Sequence, residues 1–228
     1  IWTSLAQHAD SIFALVRTSN EEVQQQGITC LCATMDLSGI TVHPITLIDG
    51  KQSLNRVTFD NVRVPISYRI GNEGEGWGYA NFLLGNERTS YAHVAGKRMQ
   101  MAAISEYAKN NTTLMSDTSF WSAFSDLEIR LNALDLTVLR VLSVISDGET
   151  PGDEASILKV LATEIAQDIT ELSMRSHAYP SVELFYENIL GAEGAIATMN
   201  YLGTRAQSIY GGSNEIQKNI IAKRVLRL

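Results

Sequence analysis

The stretch Gly71-Asn72-Glu73-Gly74-Glu75-Gly76 (GNEGEG) separates two parts of the sequence that follow different periods. Before it, short apolar and β-branched runs stand between turn residues: Ser11 to Arg17, Gly27 to Met35, Gly39 to Leu47 and Ser53 to Val64. The last carries a turn at Asp60-Asn61. A spacing of roughly ten residues with turns between predicts an antiparallel sheet or small barrel. After it, Phe82, Leu83, Tyr91, Val94, Met101 and Ile104 fall at helical spacing without proline, which predicts one helix from Trp77 to about Lys109.

Asn110 to Thr118 is a polar break. A second long helix is predicted from Phe120 to Ile145, with Leu127, Leu131, Leu134, Leu139 and Leu142 on its apolar side. A third is expected from Asp153, as its cap, to about His177, and a fourth over residues 183 to 206. Gly211-Gly212 precedes a last helix, Ser213 to about Leu226, capped by Ser213, with Ser213 and Gln217 on one face. The expected fold class is α+β: an antiparallel β domain (1–75) followed by an antiparallel four-helix bundle (76–228).

Composition narrows the function classes. The chain has 228 residues, 45% hydrophobic and 19% charged, as in a globular protein. A net charge of -7 argues against nucleic acid, whose binders cluster Lys and Arg on phosphates. No apolar run reaches the roughly 18 residues of a membrane span. Cys30 and Cys32, two apart on a strand-like run, form no disulfide framework and read as semi-buried thiols. They suit a reducing compartment, the bacterial cytoplasm or a mitochondrial matrix. No His/Cys cluster has metal-ligand spacing, so no metal is expected. The chain opens on Ile1-Trp2 without an initiator Met, which suggests that it continues a longer protein.

Four collinear segments carry a family resemblance: Ile1-Trp2-Thr3-Ser4 with the strand to Arg17; Val57 to Pro65; Gly76-Trp77 through Leu84-Gly85-Asn86-Glu87-Arg88-Thr89; and Ile209-Tyr210-Gly211-Gly212-Ser213-Asn214-Glu215-Ile216-Gln217 through Arg224. Together they resemble the acyl-CoA dehydrogenases, and the fourth is the most specific. The resemblance implies most of a middle β domain and a whole C-terminal bundle, with the N-terminal helical domain missing. It implies FAD as cofactor, an acyl-CoA substrate, electron-transfer flavoprotein as acceptor, and a homo- or hetero-oligomer, dimer or tetramer. The family reaction removes an α-proton and a β-hydride from an acyl thioester, giving a trans-2-enoyl thioester.

That chemistry needs a base at the α-carbon and donors at the thioester oxygen. Many relatives carry the base as a Glu one residue after the loop Tyr; here that position is Gly211. Others, isovaleryl and long-chain types among them, carry it on the first bundle helix before an Arg. Here that residue is Glu87, before Arg88, so the resemblance implies Glu87 as base. Gly211 can still donate its backbone N–H to the thioester oxygen. Arg88 and Gly212 are expected to shape the substrate cavity. Trp2 and Ser4 match positions whose ring and hydroxyl approach the isoalloxazine. Ser213, Asn214 and Glu215 match positions at the flavin's other end. Glu87 also reads as an ordinary helical acid, and Ser213 to Glu215 as a plain capped helix start.

Two usual flavin motifs are absent. Where relatives end the first bundle helix in Arg followed by Phe-Gly, this chain has Tyr107-Ala108-Lys109-Asn110-Asn111. Ser181 to Ala197 offers only Gly191 and Gly194 in place of a Gln-x-x-Gly-Gly-x-Gly segment. Both departures fit a branch resembling the pimeloyl-CoA dehydrogenase large subunit, in which some relatives are heteromers. Alternatives are a non-catalytic subunit that completes a partner's flavin site, and a same-fold acyl-CoA oxidase or flavin monooxygenase.

Overall fold

The computed structural model describes residues 1–87, 92–148, 152, 155–177 and 192–228, with backbone alone at 84–87, 155, 192 and 193. The chain divides into two compact units, Ile1–Asn86 and Glu87–Leu228.

The first unit holds two three-stranded antiparallel sheets. One orders β1 (Thr3–Ser4), β5 (Leu54–Phe59) and β4 (Ile40–Ile45); the other orders β2 (Ser11–Arg17), β3 (Ile28–Thr34) and β6 (Arg69–Ile70). In the second sheet Cys30 lies opposite Leu15 and Cys32 opposite Phe13. Strand alternation places both thiols on one face. Both cysteines are free; Cys30 is buried, and burial, with Cys32 adding to it, raises its pKa.

The glycines of residues 71–76 have a packing cause. The Gly74 N–H donates to Thr29 Oγ1 at 2.9 Å. A Cβ on Gly76 would lie 2.8 Å from the Thr29 carbonyl carbon. Gly71, at φ +67°, sits where a Cβ would run into the Tyr79 hydroxyl. That hydroxyl also bonds Glu75, and this bond, followed by one from Asn72, lowers the Glu75 pKa. The backbone of this loop is thus pressed onto β3 before helix α1 (Gly76–Glu87) begins.

The second unit packs α2 (Val94–Lys109), α4 (Thr118–Ser146), α5 (Ala155–Ser176) and α6 (Ala192–Thr204), with α5 touching the other three. Its core joins Met101, Ile104 and Ala108 of α2 to Phe120, Phe124, Leu127, Leu131, Leu134 and Val141 of α4. Leu158, Ala162, Ile165, Ile169 and Leu172 of α5 close it. A fully buried Leu of this kind contributes about 2 kcal/mol by apolar burial.

Several expectations are corrected. The helix predicted to run unbroken from Trp77 to Lys109 is two helices: His93 adopts φ 39°, ψ 45°, a left-handed conformation that no α-helix continues through. Leu139 and Leu142 are 56% and 45% exposed, not on the core side. The α4 core stripe runs 120, 124, 127, 131, 134, 138 and 141, and the two leucines fall off it. The polar break contains a short turn of helix, α3 (Thr112–Met115), because Asn111 accepts the N–H groups of Thr113 and Leu114. The last helix is regular only over α7 (Asn214–Ile220) and widens to a π turn at Ile221–Val225. Ser213 does cap it, accepting the Ile216 N–H at 3.4 Å. Asp153, Tyr91 and residues 183–191 of the fourth predicted helix lie outside the described residues.

Candidate functional site

The segment Tyr210–Asn214 is bonded to α5 at both of its ends. Gly211 and Gly212 take φ 66° and 87°, a region open to glycine at little cost. At Gly212 a Cβ would also approach Gln217 Nε2 to 2.6 Å. The turn itself is exposed, but its neighbours are anchored to α5. On one side Lys159 Nζ donates to Gln207 O at 2.6 Å and to Tyr210 O at 2.7 Å. On the other, Thr163 and Asn214 bond through their side chains at 3.0 and 3.1 Å. One turn further along α5, Gln167 Nε2 reaches Thr204 O and Ser208 Oγ, and Thr170 meets Thr204 at 2.9 Å.

Residues 159, 163, 167 and 170 recur at helical spacing, so a single face of α5 supplies the whole ladder. Lys159 is 2% exposed, and burial lowers its pKa. The Gly211 N–H donates to no acceptor among the described residues.

A cavity of about 340 Å3 lies behind this turn, walled in part by His93, Lys97, Gln100, Lys159, Thr163 and Tyr210. Lys97 is 6% exposed, and its Nζ donates to Ala92 O at 2.6 Å. Burial moves its pKa down to about 8. A larger cavity, about 550 Å3, opens between α2, α5 and α6, where His177 stacks on Tyr107 at 4.1 Å.

The remaining expected site residues are distributed as follows. Glu87 ends α1, and its side chain, like the whole of Arg88, lies outside the described residues. Trp2 and Ser4 belong to the first unit, Trp2 at φ 67° and 60% exposed, Ser4 exposed in β1 beside Leu54. Asn214 is buried and committed to Thr163. Glu215 is exposed, its pKa lowered first by its own backbone N–H and then by Ser213. The sequence reading missed Lys159, Thr163 and Lys97. A lysine inside the apolar run Ile157-Leu158-Lys159-Val160-Leu161 was the available signal for the first.

Among the described residues no group of three His, Cys, Asp or Glu could hold a metal, and no helix is long and apolar enough to cross a membrane.

Residues 74–226 match the family model of the acyl-CoA dehydrogenase C-terminal domain. That is well over half of the chain, and the chain belongs to the acyl-CoA dehydrogenase family. Acyl-CoA dehydrogenase IpdE1 of Mycolicibacterium smegmatis is 31% identical over 233 residues, covering 100% of this chain and 56% of that protein. Acyl-CoA dehydrogenase FadE34 of Mycobacterium tuberculosis is 27% identical, with 100% of this chain and 30% of that protein covered. The chain therefore spans little more than half of IpdE1 and less of FadE34.

Among solved structures, the Tcur3481-Tcur3483 steroid ACAD superposes with a TM-score of 0.90 at 21% identity, over 100% of this chain and 59% of that one. The ChsE4-ChsE5 complex from Mycobacterium tuberculosis gives 0.85 at 24% identity, over 100% and 60%. At these identities the structures establish the shared fold.

Proposed function

We propose that the complete protein is an FAD-dependent acyl-CoA dehydrogenase acting on the CH–CH group of an acyl thioester. The observation that carries this reading is the turn at Gly211: its N–H meets no acceptor among the described residues, while the flanking chain is bonded to α5. A fixed, unpartnered donor is what the developing charge on a thioester oxygen requires. Glu87 takes the α-proton, since Gly211 carries no carboxylate. Arg88 and Gly212 shape the cavity around the acyl group.

FAD, when bound, accepts the β-hydride. The residues present fit it at one end. The exposed Trp2 indole offers a flat apolar surface to a ring system, and the exposed Ser4 hydroxyl can hydrogen-bond one of its nitrogens. At the other end the fit is weaker: of Ser213, Asn214 and Glu215, the Asn214 side chain is already occupied and Glu215 is anionic. We assign Ser213 the remaining polar contact there. Electron-transfer flavoprotein is the proposed acceptor, within a soluble oligomer.

Anaerobic mixing of the complete, flavin-loaded protein with a panel of acyl-CoAs tests the reading. Bleaching of the flavin is expected, and its rate should fall by more than about 100-fold in Glu87→Gln, the scale of a lost general base. Bleaching that survives the substitution removes Glu87 from the mechanism.

One observation favours a heteromeric assembly. The α2 end that lacks the family's Arg and Phe-Gly carries instead Tyr107, stacked on His177 beside the larger cavity. Two of the similar structures bear the names of two-component proteins. A second chain would then complete the flavin site. Co-purification of a distinct partner supports this; a fully flavinated homomer contradicts it.

A further inference from the structure

We infer that Lys159 is a positioning residue that tunes the Gly211 N–H as a hydrogen-bond donor. This inference rests on the proposed role of that N–H at the thioester oxygen.

The chemistry follows from which carbonyl Lys159 holds. Tyr210 C=O and Gly211 N–H are the two ends of one peptide unit. That unit is planar and not cis, so its N–H points opposite to its C=O. An ammonium bonded to the oxygen at 2.7 Å therefore directs the N–H away from α5. It also draws electron density from the amide, and donation to a carbonyl strengthens the N–H of the same group. The lysine is 2% exposed, so water screens this effect little.

Three further contacts restrict the unit to this orientation. The second bond of Lys159, to Gln207 O at 2.6 Å, fixes the ammonium itself. Its Nζ also lies 5.2 Å from the centre of the Tyr210 ring. Thr163, one helical turn on, anchors Asn214 on the far side of the two glycines. The glycines supply the turn, and α5 supplies its direction. Removing the charge while keeping a donor should leave substrate binding in place and weaken only the interaction that grows as negative charge develops on the thioester oxygen.

The test uses Lys159→Gln and Lys159→Arg in the complete, flavin-loaded protein, with an acyl-CoA that bleaches the parent. Rapid-mixing kinetics give the limiting bleaching rate and the apparent substrate affinity separately. Lys159→Gln is expected to lower the limiting rate by about 10- to 100-fold, below the full loss of an oxyanion donor, with affinity changed less than about threefold. Lys159→Arg should recover most of the rate. The carbonyl stretch of bound thioester, read by Raman difference spectroscopy, should shift back toward its free value in Lys159→Gln alone.

An unchanged rate and stretch in a folded Lys159→Gln overturns the inference while leaving the dehydrogenase reading intact. So does loss of flavin in both variants, because Lys159 then serves only assembly of the bundle. If no thioester bleaches the parent, the dehydrogenase reading itself fails.

Discussion

Two glycine-rich turns, residues 71–76 and 210–213, look alike in sequence and differ in cause. In the first, the glycines are there because something is pressed against them: Thr29 backbone at Gly76, Tyr79 at Gly71, and the Thr29 hydroxyl on the Gly74 N–H. In the second, the flanks are bonded to α5 and the Gly211 N–H has no acceptor among the described residues. One turn joins a strand to a helix; the other presents a backbone donor. Glycine content alone does not distinguish them; the bonds that tie both flanks of the second turn to α5 do.

The contrast predicts separable effects on stability and on rate. The largest loss of stability is expected at Gly76→Ala, where the new methyl meets β3 backbone that cannot move aside. About 1–3 kcal/mol should be lost in chemical unfolding, as for an overpacked site, with kcat of the folded fraction unchanged. A reduced kcat there would give the first turn a functional role.

Lys97 sharpens the comparison from behind the second turn. Its folded pKa, about 8, lies below the ordinary lysine value because of burial. The unfolded chain therefore holds this proton more tightly. The penalty is fully present below about pH 8 and is relieved as pH rises toward the unfolded value, near 10.4. Lys97→Met should be more stable than the parent by about 1–3 kcal/mol at pH 7, given the shift and partial relaxation. The difference should shrink between pH 8 and 10. Equal pH dependence in both proteins would show that Lys97 is not charged and buried.

A smaller effect is expected at Thr163→Val, which removes the hydroxyl bonded to Asn214 but keeps shape. About 1–2 kcal/mol should be lost for the unsatisfied amide left behind, and the bleaching rate should fall severalfold, less than at Lys159. Thermal unfolding and rapid mixing on one preparation check both. A rate loss exceeding that of Lys159→Gln would place the control of the turn at Asn214.

Much of this was legible from period. Strands β2 to β5 and the core positions Leu127, Leu131 and Leu134 follow from alternation and from 3–4 spacing. Gly211 as a turn residue follows from its pairing with Gly212. What escaped depends on tertiary context. The break at His93 has no proline or glycine to announce it, and Lys97, bonded to Ala92 O, sits where only the folded neighbours make it buried. Leu139 and Leu142 look like core because α4 is apolar on more than one face, and only packing against α5 selects between them. The Lys159 contacts join residues about fifty positions apart, beyond what any local pattern carries.

The most direct measurement is anaerobic flavin bleaching by acyl-CoAs in the complete protein and its Glu87→Gln variant. Bleaching in the parent that collapses by more than about 100-fold in the variant is the predicted result. Bleaching of equal rate in both would contradict the assignment of the base to α1, and absence of bleaching in the parent would contradict the dehydrogenase reading as a whole.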